Sequence, residues 1–109
     1  MQSQMVSAVR FTKSFADSSP AKPGVYVFWR VTAIGTFHAV YVGMSNTSIR
    51  NRLQKHFDAS HNDGLMTYIR GCRADLLCCW RTVPSGRAKE LETVLIRRLK
   101  PLTNLSENK

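Results

Sequence analysis

At 109 residues, 43% of them apolar, the chain has material for one hydrophobic core but not for two ordinary domains. No run approaches the roughly 18 apolar residues of a membrane span. Sixteen Lys and Arg against seven Asp and Glu leave a formal charge of +9, which points to a polyanionic partner, nucleic acid first. Cys72, Cys78 and Cys79 are odd in number and two of them adjoin, which suits neither a disulfide framework nor a paired C-x-x-C zinc site. A reducing cytoplasm is therefore the expected compartment, with Cys78 and Cys79 as strand packing residues.

Residues 1–22 lack the continuous apolar stretch of a secretory signal, and Asp17 argues against a transit peptide; a mature N-terminal segment is expected, docked through Val9, Phe11 and Phe15. Ser-Pro and Pro-Gly punctuation then leads into GVYVFWRV, Gly24–Val31, whose β-branched and aromatic residues predict a strand. A second such run, TFHAVYVG at residues 36–43, follows a short connection containing Gly35 and predicts a β-hairpin. A turn centred between Ala33 and Ile34 would set Tyr26 directly opposite Tyr41 on one sheet face.

The next element carries the most information. Ser45 and Asn46 are helix-capping types, and Ile49, Leu53 and Phe57 recur every four residues as a buried face, so residues 46–57 are expected to be helical. Arg50, Arg52 and Lys55 form a cationic stripe, and Arg52 and His56 lie one turn apart, heads in the same space. After a polar break, residues 65–70 predict a short helix stopped by Gly71. Residues 74–83, ADLLCCWRTV, read as a third strand covered on both faces. Pro84, Ser85 and Gly86 mark a turn, and Ala88, Leu91, Val94, Leu95 and Leu99 space out a final helix over residues 87–99, ended by Pro101.

Within that last helix, Ala88, Leu91, Leu95 and Ile96 surround Glu92 at helical spacing and put a carboxylate on or beside the buried face, where it needs a cation or a metal. A structural ion pair with an arginine is the alternative role. Two phenols on one face, an arginine, a histidine and one partly buried carboxylate supply what phosphodiester hydrolysis requires: a base for water, cationic stabilisation of the transition state and a metal anchor.

These residues resemble the pattern of the GIY-YIG endonuclease superfamily. Gly24-Val25-Tyr26 stands for the first triplet and Tyr41-Val42-Gly43 for the second. Ile49-Arg50-Asn51-Arg52-Leu53 is similar to the family's I-x-x-R-L element, with His56 four residues beyond the arginine. Glu92-Thr93-Val94-Leu95-Ile96, Pro101 and Asn104 resemble its E-x-x-L-I…P-x-x-N ending. The resemblance covers residues 24–104, with residues 1–23 as an N-terminal segment and 105–109 as a tail. It implies an α/β (α+β) fold with a three-stranded antiparallel sheet flanked by helices. It further implies a divalent-metal-dependent endonuclease acting on DNA, with one Mg²⁺ or Mn²⁺ ion anchored by Glu92.

In that scheme Arg52 stabilises the scissile phosphate, either Tyr26 or Tyr41 is the general base, and His56 relays the proton or binds phosphate. Arg50, Lys55, Ser45 and Asn104 lie on the substrate side, Asn104 also holding the segment after the last helix. A phenol near its ordinary pKa is only about one part in a thousand ionised at pH 7, so Arg52 and a metal-bound water must help it. Met44 departs from the lysine of the excision-repair members and separates this chain from them. Specificity would come from the N-terminal segment, residues 58–71, a second subunit or a partner protein. The competing readings are a catalytically silent nucleic-acid-binding module and a nuclease-like subunit of a larger repair or restriction assembly.

Overall fold

The computed structural model describes residues 8–31, 34–59 and 76–102. The helix expected at residues 65–70, its Gly71 stop and Asn104 lie outside the described residues. Among the described residues the elements in chain order are β1 (Val9–Arg10), α1 (Lys13–Ser18), β2 (Gly24–Val31), β3 (Phe37–Ser45), α2 (Ile49–Ala59), β4 (Leu76–Thr82) and α3 (Ser85–Leu99). The strands form one antiparallel sheet in the order β1-β4-β2-β3. The architecture is α+β as expected, but the sheet has four strands and not three. The extra one is the two-residue β1, which pairs Val9 with Cys78 and Arg10 with Leu77.

Alternation along the strands divides the core. On one face Phe11, Tyr26, Phe28, Tyr41, Leu76 and Cys78 pack with Ala16 of α1 and with Ile49 and Leu53 of α2. On the other face Val27, Ala39, Val42 and Cys79 pack with Ile96 of α3. Both faces of β2 are covered, which is why its residues from Gly24 to Phe28 are all buried and its sequence is apolar at successive positions. The apolar run ending in Cys78 and Cys79 has the same cause, because β4 lies inside the sheet between β1 and β2.

The hairpin register differs from the expectation. Near the turn Val31 pairs with Phe37 and Trp29 with Ala39; beyond it Phe28 pairs with Tyr41 and Tyr26 with Gly43. Val40 is therefore an extra residue on β3, a bulge that turns Val40 and Tyr41 to the same face, and both belong to the core cluster under α1 and α2. Without it the register near the turn would carry Tyr41 opposite Val27, on the face covered by α3. Tyr26 and Tyr41 are thus diagonal neighbours rather than a direct pair, with ring centroids 6.4 Å apart. The displacement from the expected pairing is two residues, which leaves the shared face intact.

Two glycines are required by close approach. A Cβ on Gly24 would collide with the Arg81 carbonyl of β4 and with the Ile49 side chain of α2. A Cβ on Gly43 would enter the ring and hydroxyl of Tyr26, which lies flat across the bare Cα. Gly43→Ala is expected to destabilise the fold by about 1–3 kcal/mol, through displacement of a ring that has no free volume beside it. Chemical denaturation measures this; an unchanged midpoint would mean that the ring has somewhere else to go.

α3 ends in a left-handed residue, Lys100 with φ 48°, whose N–H donates to the Ile96 carbonyl. Pro101 disfavours the right-handed helical conformation at that position. Pro101 is buried, and the Leu102 N–H then donates to the Ala39 carbonyl at 3.1 Å, which fastens the end of α3 to the edge strand beside the bulge. The helix begins at Ser85, two residues before its expected start, with the Arg87 N–H bonded to the Pro84 carbonyl.

Candidate active site

β2, β3 and α2 bring two phenols and an imidazole together. Tyr26 is fully buried, and its hydroxyl lies 2.8 Å from His56 Nε2. The His56 ring stands edge-on to both tyrosines, with centroids 5.5 Å from Tyr26 and 5.4 Å from Tyr41. One helical turn earlier, the half-buried Arg52 guanidinium lies near enough to Tyr26 for its charge to act on the phenol. Tyr26 Oη and His56 Nε2 share this hydrogen bond, and the imidazole tautomer sets which of the two donates.

Glu92 approaches from the other side. α3 covers the opposite face of the sheet, and the charge of the Glu92 carboxylate acts on the Arg52 guanidinium. Glu92 is only 6% exposed, and Lys89 Nζ sits 2.9 Å from its Oε1. The sequence reading missed Lys89, although its i,i+3 spacing to Glu92 is the signal that finds it.

The electrostatics follow from burial and neighbours. Burial is the largest influence on Tyr26 and pushes its pKa well above the ordinary phenol value; Tyr41 adds to this, and the nearby Arg52 charge opposes it without prevailing. Burial alone would lower Arg52, but the nearby Tyr26, with Tyr41 and Glu92, outweighs it and raises its pKa. The resting site therefore holds a neutral Tyr26 against a charged Arg52.

The expected substrate-side residues divide. Lys55 is exposed and, with Asn46, Thr47, Asn51 and Arg52, lines a polar groove of about 380 Å³ at the start of α2. Ser45 borders that groove, but its oxygen accepts from the Thr47 and Ser48 N–H groups at 3.1 and 2.8 Å, so it shapes the turn. Arg50 donates from Nε to the Ser19 carbonyl at 2.8 Å and ties the N-terminal segment to α2. The helix N-terminus is similarly engaged: Ile49 N–H donates to the Lys22 carbonyl, Arg50 N–H to the Pro20 carbonyl and Asn51 N–H to Ser48 Oγ. Attraction for an anion in this groove must come from side chains and not from the helix end. A larger groove of about 460 Å³, between Arg81 and Val94, contains none of Tyr26, Tyr41, Arg52, His56 or Glu92.

Compared with known proteins, the chain matches no family model, no curated protein and no solved structure. Among the described residues no group of three or more His, Cys, Asp and Glu side chains gathers to enclose a metal ion. The donor set at Glu92 is one carboxylate. That does not fit a zinc cage, and it fits Mg²⁺ or Mn²⁺ held by one carboxylate with the rest of the shell from water and phosphate oxygens.

Burial also ties stability to alkaline pH. Tyr26 rises from 10.0, and the Cys78 and Cys79 thiols rise from 9.0, in each case chiefly through burial. A raised folded-state pKa means that the unfolded chain loses its proton first. The stability these groups contribute is therefore full below about pH 9 and is lost as the pH climbs towards their folded-state values. Denaturation midpoints at pH 8 and about 10.5 should differ accordingly, with Tyr26→Phe flattening the decline. A midpoint constant across that interval would contradict the burial of ionisable groups as its cause.

Proposed function

We propose that this protein is an endonuclease of the GIY-YIG kind, hydrolysing DNA phosphodiester bonds with the help of one divalent cation. The observation that supports this reading best is the hydrogen bond of Tyr26 to His56 with Tyr41 beside both rings, under the charge of Arg52, on which Glu92 also acts. Tyr26 is hydrogen-bonded to His56 and lies under the charge of Arg52, which favours it as the base. As the attacking water gives a proton to the Tyr26 oxygen, the phenol proton passes to His56 Nε2, so the hydroxyl never has to persist as a phenolate. This resolves how a group with a raised pKa takes part near neutrality. Arg52, held charged, faces the negative charge that grows on the phosphoryl oxygens. Glu92 would hold a Mg²⁺ ion that supplies further positive charge to the phosphate. The groove from Asn46 to Lys55 extends the cationic surface away from Arg52, and the +9 charge draws DNA to it.

Burial favours one alternative. Tyr26 has no exposed surface and Glu92 is already engaged by Lys89, as a binding module that does not cut would allow. Labelled duplex, branched and single-stranded DNA incubated with Mg²⁺ or Mn²⁺, beside the Glu92→Gln protein, separates the two. Cleavage of any form by the unaltered protein alone supports the nuclease; retention of DNA without a cut supports the binding module.

A further inference from the structure

Glu92 presents a physical problem that its surroundings solve in a particular way. A carboxylate only 6% exposed needs a compensating charge. Arg52 provides part of the field, but Tyr26 and Tyr41 act on its charge more strongly than Glu92 does. Direct contact comes from Lys89, and the pair is unequal: the Glu92 side chain is 7% exposed and that of Lys89 is 75% exposed. One turn of the same helix offers a contrast. Arg87 and Glu90 pair at 3.0 Å with both side chains about equally exposed, 70% and 68%, which is a solvated surface pair.

We propose that Lys89 is a displaceable internal counter-ion, occupying the Glu92 carboxylate oxygen that a divalent cation would take and leaving when the cation binds. The inference rests on the reading of Glu92 as the carboxylate for such an ion. Glu92 is almost wholly covered, while the lysine that touches its Oε1 lies mostly in solvent, which is where a hydrated cation also arrives. Mg²⁺ bonds a carboxylate oxygen at about 2.0–2.1 Å, and an ammonium held on that same oxygen would repel it strongly in a partly buried site. The lysine is suited to withdrawal, since its charge is carried on a flexible four-carbon stem already lying in solvent. Its departure exchanges one cation for another, so Glu92 is never left uncompensated.

Two consequences follow from the competition. The cation binds weakly to the protein alone, because the lysine must be expelled. Bound DNA lessens that penalty, because a phosphate gives the released ammonium a new partner, so cation and DNA strengthen each other's binding. Lys89 is a positioning residue here, acting on the reaction only through Glu92.

Titration of Mn²⁺ into the DNA-free 109-residue protein, followed by calorimetry and by the loss of the free-ion paramagnetic resonance signal, tests the proposal without any need for cleavage. Lys89→Met and Lys89→Gln are each expected to tighten Mn²⁺ binding about tenfold. Arg87→Met removes the same charge from the same helix and is expected to change it by less than about twofold. Glu92→Gln should abolish the site in every background. Equal affinities for the unaltered and both Lys89 proteins, with Glu92→Gln still abolishing binding, would overturn the role of Lys89 and leave the metal reading standing. Binding that persists in Glu92→Gln, or no binding even in the Lys89 variants, would overturn both.

Discussion

Glu92→Gln is expected to reduce DNA cleavage at least about a thousandfold, to the uncatalysed background, while the protein remains folded and still binds DNA in the absence of metal. Glutamine keeps the size and much of the hydrogen bonding of the buried side chain but cannot supply the anionic oxygen a divalent cation requires. The stability change should be small, within about 1 kcal/mol, because the ion pair that is lost has its lysine mostly in solvent. What disappears besides cleavage is the gain in DNA affinity on adding Mg²⁺ or Mn²⁺. Titrating DNA with and without the ion, in both proteins, measures that difference. Unchanged cleavage by the Glu92→Gln protein, or tight metal binding by the unaltered protein without DNA, would sink the one-carboxylate scheme.

Arg52→Ala comes second. Its turnover at saturating DNA should fall about 10²–10³-fold, the usual cost of deleting a donor aimed at developing charge, with a much smaller loss of affinity. The substitution also removes the cation that opposes the upward shift of Tyr26, so the phenol becomes still harder to ionise and the relay through His56 loses its support. Arg52→Lys should rescue poorly, because an ammonium point charge lacks the planar fork of N–H groups that matches phosphate oxygens in pairs. Single-turnover rates at saturating enzyme, set beside equilibrium binding, separate the two effects. An Arg52→Ala protein that binds poorly yet cleaves normally at saturation would remove Arg52 from the transition state.

Much of this fold can be read from local pattern, because burial on a pleated strand or on one helix face imposes its period on the residues. The hairpin of β2 and β3, the helix carrying Ile49 and Leu53, the apolar strand through Cys78 and Cys79, and the last helix around Glu92 are all of this kind. Gly24 and Gly43 were legible as glycines, while their reasons, a neighbouring strand carbonyl and the Tyr26 ring, exist only once the chain is folded. The two-residue β1 is too short to carry a period, and its identity as a strand depends on β4 arriving beside it. The bulge at Val40 was equally invisible, since an extra residue in an apolar run has no local signature; yet it turns Tyr41 onto the face of Tyr26.

The candidate site divides along the same line. By itself the sequence determined which side chains share a helix face, so Arg52 with His56, and a carboxylate at Glu92 flanked by apolar neighbours, could be named in advance. Only the tertiary structure decided how they are engaged: Tyr26 bonded to His56 under the charge of Arg52, Arg50 turned to the Ser19 carbonyl, Ser45 enclosed in its turn, and Lys89 on the Glu92 oxygen. The physical reason is that periodicity specifies a direction of projection. A hydrogen bond also needs a partner within about 3 Å, and for Tyr26, Arg50 and Glu92 the neighbours that meet this come from distant segments or from a rotamer that only the packed surface selects.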